Sequence, residues 1–181
     1  MPSLAWVDEQ DGRWIETVGM VEPLRTLPAP LTGRPCVLYQ VELGLLHRLI
    51  EGVAGGVRET AGGCFRMRVG ADLRILVDPS QAELKLCQKT AVRRKVRLGR
   101  DPALDARLRQ LYQRLQREGP RRATVVCRER PLLAGQRVQL HGQLFRVLDV
   151  DGELTAGYRQ PPRQWLLKVA ELTARPQHWR S

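Results

Sequence analysis

Hydrophobic and polar residues alternate in short runs along most of the chain, a period of two that is typical of strands with one buried face. In residues 36–41 this alternation places Cys36, Leu38 and Gln40 on one side of a predicted strand. Residues 43–50 fit a short helix or an extended strand equally well, because their leucines satisfy both periods. The other predicted strands are residues 64–69, 73–77 and 82–87, which form a meander, and residues 90–98, 123–128, 137–140, 143–150 and 165–172.

Two Asp-Gly pairs predict hairpins, because glycine supplies the positive φ that a tight turn requires. The pair at residues 11–12 predicts an N-terminal hairpin over residues 1–17. The alternative for this segment is a loose N-terminal arm. The pair at residues 151–152 is predicted to join residues 143–150 to the chain that follows.

A proline-rich connector follows the first extended run, residues 18–24, and leads into residues 36–41. Proline fixes φ and disfavours helix at the residue before it, so the connector is predicted to be a rigid corner between two strands. Such a corner suits a small barrel or sandwich. Its residues are Pro28, Pro30, Leu31, Thr32, Gly33 and Pro35.

One helix is predicted, near residues 102–118. Asp101 is a suitable N-cap, Pro102 suits the first helical position, and Gly-Pro ends the helix at residues 119–120. Its apolar stripe consists of Leu104, Leu108, Leu111, Tyr112 and Leu115. We therefore predict a mostly β (α+β) protein, a small OB-like β-barrel or sandwich with one amphipathic helix.

The positive charge is concentrated in one region. Residues 85–130 contain fifteen Lys and Arg against four Asp and Glu, which accounts for the whole net charge of +11. A patch of one sign attracts polyanions, so nucleic acid, anionic lipid and acidic protein surfaces are candidate partners. The residues predicted to form this basic surface are Lys89, Arg93, Arg94, Lys95, Arg97, Arg107, Arg114, Arg117, Arg121 and Arg122.

The sequence offers no converging catalytic or metal-ligating groups. The three histidines lie in separate segments, and none has a histidine or cysteine three or four residues away. The four cysteines lie more than twenty residues apart, which does not fit a zinc site, so we interpret them as buried thiols, with disulfides as the alternative. We expect no enzyme activity, no metal, no cofactor and no small-molecule substrate. Without a signal-like start or a long apolar run, we expect a cytoplasmic protein.

Several short motifs resemble the GIDE domain, also called BAM or "beside a membrane", of membrane-anchored RING ubiquitin ligases and their prokaryotic relatives. The matching positions are Gly19, residues 29–33, residues 35–37, Tyr39, Phe65, residues 77–79, Glu129, Leu133, residues 135–138 and Gly142. The resemblance covers residues 18–150 and implies structural roles for Gly19, Pro30, Gly33, Cys36, Tyr39, Asp78, Gly135 and Gly142. It also implies a single β domain over residues 18–174, which includes the basic strand-helix segment 85–130, followed by a tail at 175–181.

The resemblance implies a binding or sensing module, because ubiquitin transfer in those ligases belongs to a RING that this sequence lacks. We therefore expect a non-catalytic scaffold that acts in a protein assembly through its basic surface. One alternative is sequence-independent nucleic-acid binding, although the basic region offers only Tyr112 for base stacking. Another is a peripheral module at an anionic membrane surface, or an accessory to a ubiquitin-ligase-like system.

Overall fold

A computed structural model describes residues 9–45, 56–71, 73–87, 91–97, 106, 108, 111, 113, 124–148 and 163–174. These residues are mainly strands, which confirms the mostly β prediction. The strands are β1 (Trp14–Glu22), β2 (Leu27–Pro28), β3 (Pro35–Cys36), β4 (Leu38–Leu45), β5 (Gly56–Gly62), β6 (Phe65–Val69), β7 (Leu73–Asp78), β8 (Glu83–Lys85), β9 (Val92–Arg97), β10 (Thr124–Leu132), β11 (Arg137–Leu148) and β12 (Arg163–Ala174).

The strands divide between two compact units. Unit 1 consists of Met1–Arg25, Gly63–Leu86 and Ala134–Ser181. Unit 2 consists of Thr26–Gly62 and Cys87–Leu133. The chain therefore crosses between the units several times. The predicted division into segments 1–17, 18–174 and 175–181 stays a prediction, although β1 runs without a break across its first boundary.

Unit 1 is a sheet that closes on itself. β1 pairs with β6 and β11, β6 pairs with β7, and β12 completes the ring by pairing with β7 and β11. The β7–β12 contact is parallel, whereas the other four are antiparallel. β8 extends this sheet by a short parallel pairing with β12. The interior is apolar, and its fully buried side chains include Phe65, Met67, Ile75, Leu140, Leu144, Leu167 and Leu172.

Two glycines of unit 1 lie where strands approach too closely for a side chain. A Cβ on Gly19 would lie 2.6 Å from the carbonyl oxygen of Arg68, and one on Gly142 would lie 2.3 Å from that of Lys168. Gly142 also adjoins an irregularity in the β11–β12 register, which increases local twist. Both motif glycines therefore have structural roles that require the absence of a side chain.

Unit 2 is an open four-stranded antiparallel sheet in the order β5-β4-β10-β9. One of its faces is apolar and forms a buried cluster. Leu108 and Leu111, two residues of the predicted helix, are buried in this cluster, and the described residues 106, 111 and 113 are helical. The rest of segment 102–118 lies outside the described residues. The other members of the cluster are Leu31, Val41, Leu43, Val96, Val125 and Cys127.

The proline-rich connector is a corner tied to β10 by one buried carboxylate. β2 and β3 form a two-residue ladder at its base, and Gly33 has a φ of 71°. Glu129 is fully buried, and its Oε2 accepts a 2.5 Å hydrogen bond from the backbone N–H of Leu31. Its Oε1 accepts a 2.6 Å hydrogen bond from the hydroxyl of Thr32. Local hydrogen bonds, such as that from the Gly33 N–H to the Ala29 carbonyl at 2.8 Å, shape the corner, and Glu129 fastens it to β10.

The other motif positions are also structural. Pro30 and Cys36 are buried, and the Cys36 thiol donates a hydrogen bond to the Leu27 carbonyl at 3.3 Å. Tyr39 packs against the core of unit 2. Asp78 accepts a 3.0 Å hydrogen bond from the backbone N–H of Ser80, as a turn-capping aspartate does. Gly135 has a φ of 73°, which glycine adopts without strain.

The predicted pairings have different outcomes. The predicted meander of residues 64–69, 73–77 and 82–87 is wrong for its third strand. After a turn at residues 79–82, β8 pairs in parallel with β12 and does not pair with β7. The predicted strands 137–140 and 143–150 are one continuous strand, β11. Both hairpin predictions stay predictions, since residues 1–8 and 149–162 lie outside the described residues. Residues 43–45 are strand, and 46–50 also lie outside the described residues.

Candidate anion-binding surface

The sheet of unit 2 brings together charged side chains that are far apart in the sequence. Glu42 of β4 lies opposite Arg58 of β5 on one side and opposite Arg128 of β10 on the other. Arg128 in turn lies opposite Arg93 of β9. Since laterally paired residues project from the same face of a sheet, these four side chains form one row across all four strands. We call Arg58, Glu42, Arg128 and Arg93 the basic row.

The basic row lies on the face opposite the apolar cluster. Each member has a neighbour along its strand that belongs to the apolar cluster or packs against it, and these neighbours are Val57, Val41, Leu43, Cys127 and Val92. Arg58 and Arg93 are exposed, whereas Glu42 and Arg128 are half-buried. Lys95 is exposed on the same face, next to Arg93 along β9. The row and this lysine together carry four positive charges and one negative charge.

Arg130 adds a buried positive charge to this face. Its Nη1 donates to Oε1 of Gln40 at 3.0 Å, and its Nη2 lies 3.9 Å from Oε2 of Glu42. Among the described residues, no acceptor is within hydrogen-bonding distance of its Nε, although the residue is only 9% exposed. Burial lowers the pKa of Arg130, and the nearby cations Arg128 and Arg58 lower it further, against the opposite effect of Glu42. The single carboxylate therefore does not compensate the cations around it.

Like charges directly opposite each other destabilise a sheet, so the Arg128–Arg93 pair has an electrostatic cost. No ion pair joins Arg58, Arg93, Lys95 or Arg128 to a carboxylate in the described part of the chain. An anion placed over the row would reduce this repulsion and gain charge-assisted hydrogen bonds from the guanidinium groups. The arrangement thus suits a ligand with several carboxylate or phosphate oxygens.

The structure separates the basic residues predicted from the sequence. Arg93 and Lys95 lie on the face of the basic row, but Arg94, opposite Cys127, projects from the other face of β9. Arg97 is in β9 opposite Thr124. The remaining predicted residues lie outside the described residues, and these are Lys89, Arg107, Arg114, Arg117, Arg121 and Arg122.

Sequence reasoning missed Arg58, Arg128 and Arg130. Arg128 and Arg130 are separated by one residue in a run of β-branched and apolar residues, which is the signal for two charges on one face of a strand. Arg58 gave no such signal, because it joins the row only through the pairing of β4 with β5. The missed residues therefore depend on strand register, which the local sequence does not reveal.

The basic face carries no aromatic side chain among the described residues of the four strands. Tyr39 packs against the apolar cluster on the other face. Surfaces that bind single-stranded nucleic acid usually combine cations with aromatic rings on which bases stack. This face therefore has the charge of such a surface without its stacking platform.

The cysteines are free thiols, of which Cys64 is exposed and the other three are buried. The prediction of thiols is thus confirmed, although that of burial was wrong for Cys64, which follows the end of β5. Burial, followed by the charge of Glu129, raises the pKa of Cys36 to about 11 and that of Cys127 to about 12. Such thiols are poor nucleophiles at neutral pH. Within the described residues, no group of three His, Cys, Asp or Glu side chains is arranged to hold a metal ion.

In the described ranges, no helix is long and apolar enough to cross a membrane. Comparisons with protein-family models, curated proteins and solved structures found no match to this chain.

Proposed function

We propose that this chain is a non-catalytic binding module that acts in a protein assembly and contacts an acidic partner protein through the basic row. The observation that carries the proposal is the register of β5, β4, β10 and β9, which aligns three arginines with a single carboxylate on one face, with Arg58 and Arg93 exposed. The sheet fixes the backbone positions of these arginines, so that their spacing is set before a partner binds.

A protein partner is favoured over nucleic acid because the basic face has no described aromatic side chain on which bases could stack. Rows of cations on sheets suit acidic side chains of a facing protein, which the arginines can bind in a bidentate manner. The resemblance to the GIDE domain supports the same class of function, a module that recognises other components without catalysing a reaction. Sequence-independent nucleic-acid binding is the alternative outcome of the test below.

The test is a native pull-down from source cells, with and without nuclease, using three forms of the full chain. The first is the wild type, and the second carries Arg93→Glu and Arg128→Glu. The third carries Arg94→Glu, a control for position with one charge reversal instead of two, because Arg94 neighbours Arg93 but projects from the opposite face.

We expect a stoichiometric protein that survives nuclease, is retained by the wild type and the control, and is lost from the double variant. Retention of mainly nucleic acid, released by moderate salt, would replace the proposal with the polyanion-binding alternative. Equal retention by all three forms would overturn the role of the basic row. Because Arg128 is half-buried, circular dichroism of each form verifies that the substitutions leave the fold intact.

A further inference from the structure

Unit 1 contains a row of charged side chains on four neighbouring strands. Glu16 of β1 lies opposite His141 of β11, and His141 lies opposite Glu171 of β12. Glu171 in turn lies beside Glu83 of β8. We call Glu16, His141, Glu171 and Glu83 the acidic row. Glu16, His141 and Glu83 are exposed, and Glu171 is half-exposed.

The acidic row borders an open cavity of about 400 Å³ lined by Glu16, Gln139, His141, Glu171 and Thr173. The Gln139 amide donates a hydrogen bond to Glu16, and the Lys85 ammonium lies 2.8 Å from Oε1 of Glu171. Lys85 therefore compensates one of the three carboxylates, and Glu16 and Glu83 carry the remaining negative charge. The indole of Trp14 is 58% exposed and contacts the His141 ring at a centroid distance of 5.2 Å.

The two rows are complementary in sign at their outer positions, whereas the Glu171 carboxylate of the acidic row already pairs with Lys85. Read from β5 to β9, the basic row is positive, negative, positive, positive. Read from β1 to β8, the acidic row is negative, imidazole, negative, negative. Because neighbouring strands lie about 4.8 Å apart in any sheet, each row spans about 14 Å along its own sheet. The facing pairs in this order are Arg58 with Glu16, Glu42 with His141, Arg128 with Glu171, and Arg93 with Glu83.

The opposite order of pairing is unfavourable. It would place Glu42 against Glu171, and like charges across an interface are repulsive. The imidazole is the one position of the acidic row that suits a facing carboxylate, because a ring N–H can donate to it. The sign pattern therefore selects one of the two orders.

We propose that the acidic partner of the basic row is the acidic row of a second copy of this chain, so that copies associate head to tail. This inference rests on the proposed function, because it uses the same basic row and identifies its partner. A contact between two different surfaces of identical chains is heterologous, and it either closes into a ring or continues as an open assembly. Attraction between partly exposed charges weakens as salt is added, so the association is expected to be reversible and salt-sensitive.

The test is the mass of the full chain in solution, measured by light scattering and sedimentation over a range of concentrations and salt. We expect masses above that of a single 20.6 kDa chain at low salt, and lower masses as salt is added. Either Arg93→Glu or Glu83→Arg is expected to raise the dissociation constant about tenfold, since each replaces one attractive pair by a repulsive one. Arg94→Glu is the control with the same charge change on the other face, and we expect it to associate like the wild type.

The decisive form is the double variant Arg93→Glu with Glu83→Arg, which exchanges the two charges of one facing pair. We expect it to associate within about twofold of the wild type, because the pair is restored in reverse. The double variant Arg93→Glu with Glu16→Arg exchanges charges that do not face each other. Its self-association is expected to stay as weak as that of Arg93→Glu alone. Restoration by the second double variant alone would overturn the pairing order.

A single-chain mass for the wild type at every concentration would overturn the inference. It would leave the proposed function standing if the pull-down still finds a protein partner that depends on Arg93 and Arg128. Loss of that protein partner as well would overturn both this inference and the proposed function.

Discussion

The two units stabilise their sheets in different ways. Unit 1 closes its sheet, so the backbone groups of β1, β6, β7, β11 and β12 have partner strands on both sides over part of their lengths. Unit 2 leaves its sheet open, and within the described strands β5 and β9 each pair on one side only. The open sheet buries a carboxylate, Glu129, and an arginine, Arg130, whereas the closed sheet buries no charged residue among those described.

This difference predicts how each unit responds to substitution. Closure supplies pairing through the backbone, so unit 1 depends mainly on close strand contacts and an apolar interior. Unit 2 depends in addition on the hydrogen bonds that buried Glu129 makes with the corner. We infer that unit 2 is more sensitive to changes of charge and unit 1 to changes of volume.

The largest effect is expected from removing the buried Glu129 carboxylate, which hydrogen-bonds the corner of unit 2 to β10. Glu129→Ala leaves the buried N–H of Leu31 and the hydroxyl of Thr32 without their acceptor. We expect it to lower the free energy of unfolding by about 3–5 kcal/mol, because breaking a buried charged network leaves unpaired polar groups. Urea unfolding measures the loss. Amide hydrogen exchange is expected to locate it in β4 and β10 before β1 and β11.

The matched change in unit 1 is Glu16→Ala, which removes an exposed carboxylate hydrogen-bonded to Gln139. We expect a change within about 0.5 kcal/mol. Glu129→Gln keeps the shape of the side chain and one acceptor oxygen. Its loss of unfolding free energy should therefore lie between those of Glu129→Ala and Glu16→Ala. Equal losses from Glu129→Ala and Glu16→Ala would contradict the comparison of the two units.

The second prediction concerns volume in unit 1. Gly142→Ala would place a Cβ 2.3 Å from the carbonyl oxygen of Lys168 and 2.9 Å from the Cα of Val169, so the backbone of β12 must shift. We expect a loss of about 2–3 kcal/mol in urea unfolding, as for overpacked cores. Tryptophan fluorescence reports on this unit, because the described tryptophans, Trp14 and Trp165, belong to it.

Gly63→Ala is the control for that substitution. A Cβ added to Gly63 would have no atom within 4 Å beyond its chain neighbours, and Gly63 does not have a positive φ. The substitution is expected to be neutral or slightly stabilising, because alanine reduces the entropy of the unfolded chain. A loss from Gly63→Ala as large as that from Gly142→Ala would mean that close contact is not the cause.

The sequence predicts single strands better than their arrangement. Alternation located β4, β6, β7 and β12, because a half-buried strand imposes a period of two on its own residues. It did not predict the parallel contact of β12 with β7, since nothing local records which distant strand lies alongside.

The same limit applies to the candidate site. Sequence clustering grouped Arg93 with Arg94, whereas the pleat separates them and places Arg93 beside Arg128 instead. The alternation of side chains along a strand already places Arg93 and Arg94 on opposite faces of β9, so their separation was predictable from the sequence. The position of Arg58 required the register of β4 with β5, and the ties of Glu129 required a contact across 98 residues. The charge excess was therefore readable from the sequence, but its arrangement was not.

The third prediction is a loss of stability in alkaline solution. Burial raises the pKa of Cys36 and Cys127 in unit 2 from the ordinary value of 9.0 to about 11 and about 12. Above pH 9 the unfolded chain loses these protons while the folded chain keeps them, so the free energy of unfolding falls as the pH rises. We expect the two thiols to contribute a fall of about 1–2 kcal/mol between pH 9 and pH 10.

Urea unfolding at a series of pH values measures this slope. Cys127→Ala is expected to reduce it by about half, whatever the substitution itself costs, because one of the two titrating groups is gone. Cys64→Ala is the control from unit 1. Burial, followed by the charge of Asp78, raises the pKa of Cys64 as well, but the residue is exposed, so its removal should reduce the slope less than Cys127→Ala does. A slope unchanged by Cys127→Ala would assign the alkaline loss to other groups.

The smallest effect tests the electrostatic cost of the basic row itself. Arg93 lies opposite Arg128, so Arg93→Gln removes one like-charge contact, whereas Arg94→Gln, opposite Cys127, removes none. We expect Arg93→Gln to raise the free energy of unfolding by about 0.3–0.5 kcal/mol relative to Arg94→Gln at low salt. The difference should disappear near 1 M salt, where the screening length is about 3 Å. The comparison is made at a protein concentration at which the wild type is a single chain. If Arg93→Gln destabilises that single chain at low salt instead, Arg93 is already paired with an anion of its own chain, and the row cannot be the unsatisfied surface that unit 2 offers to a partner.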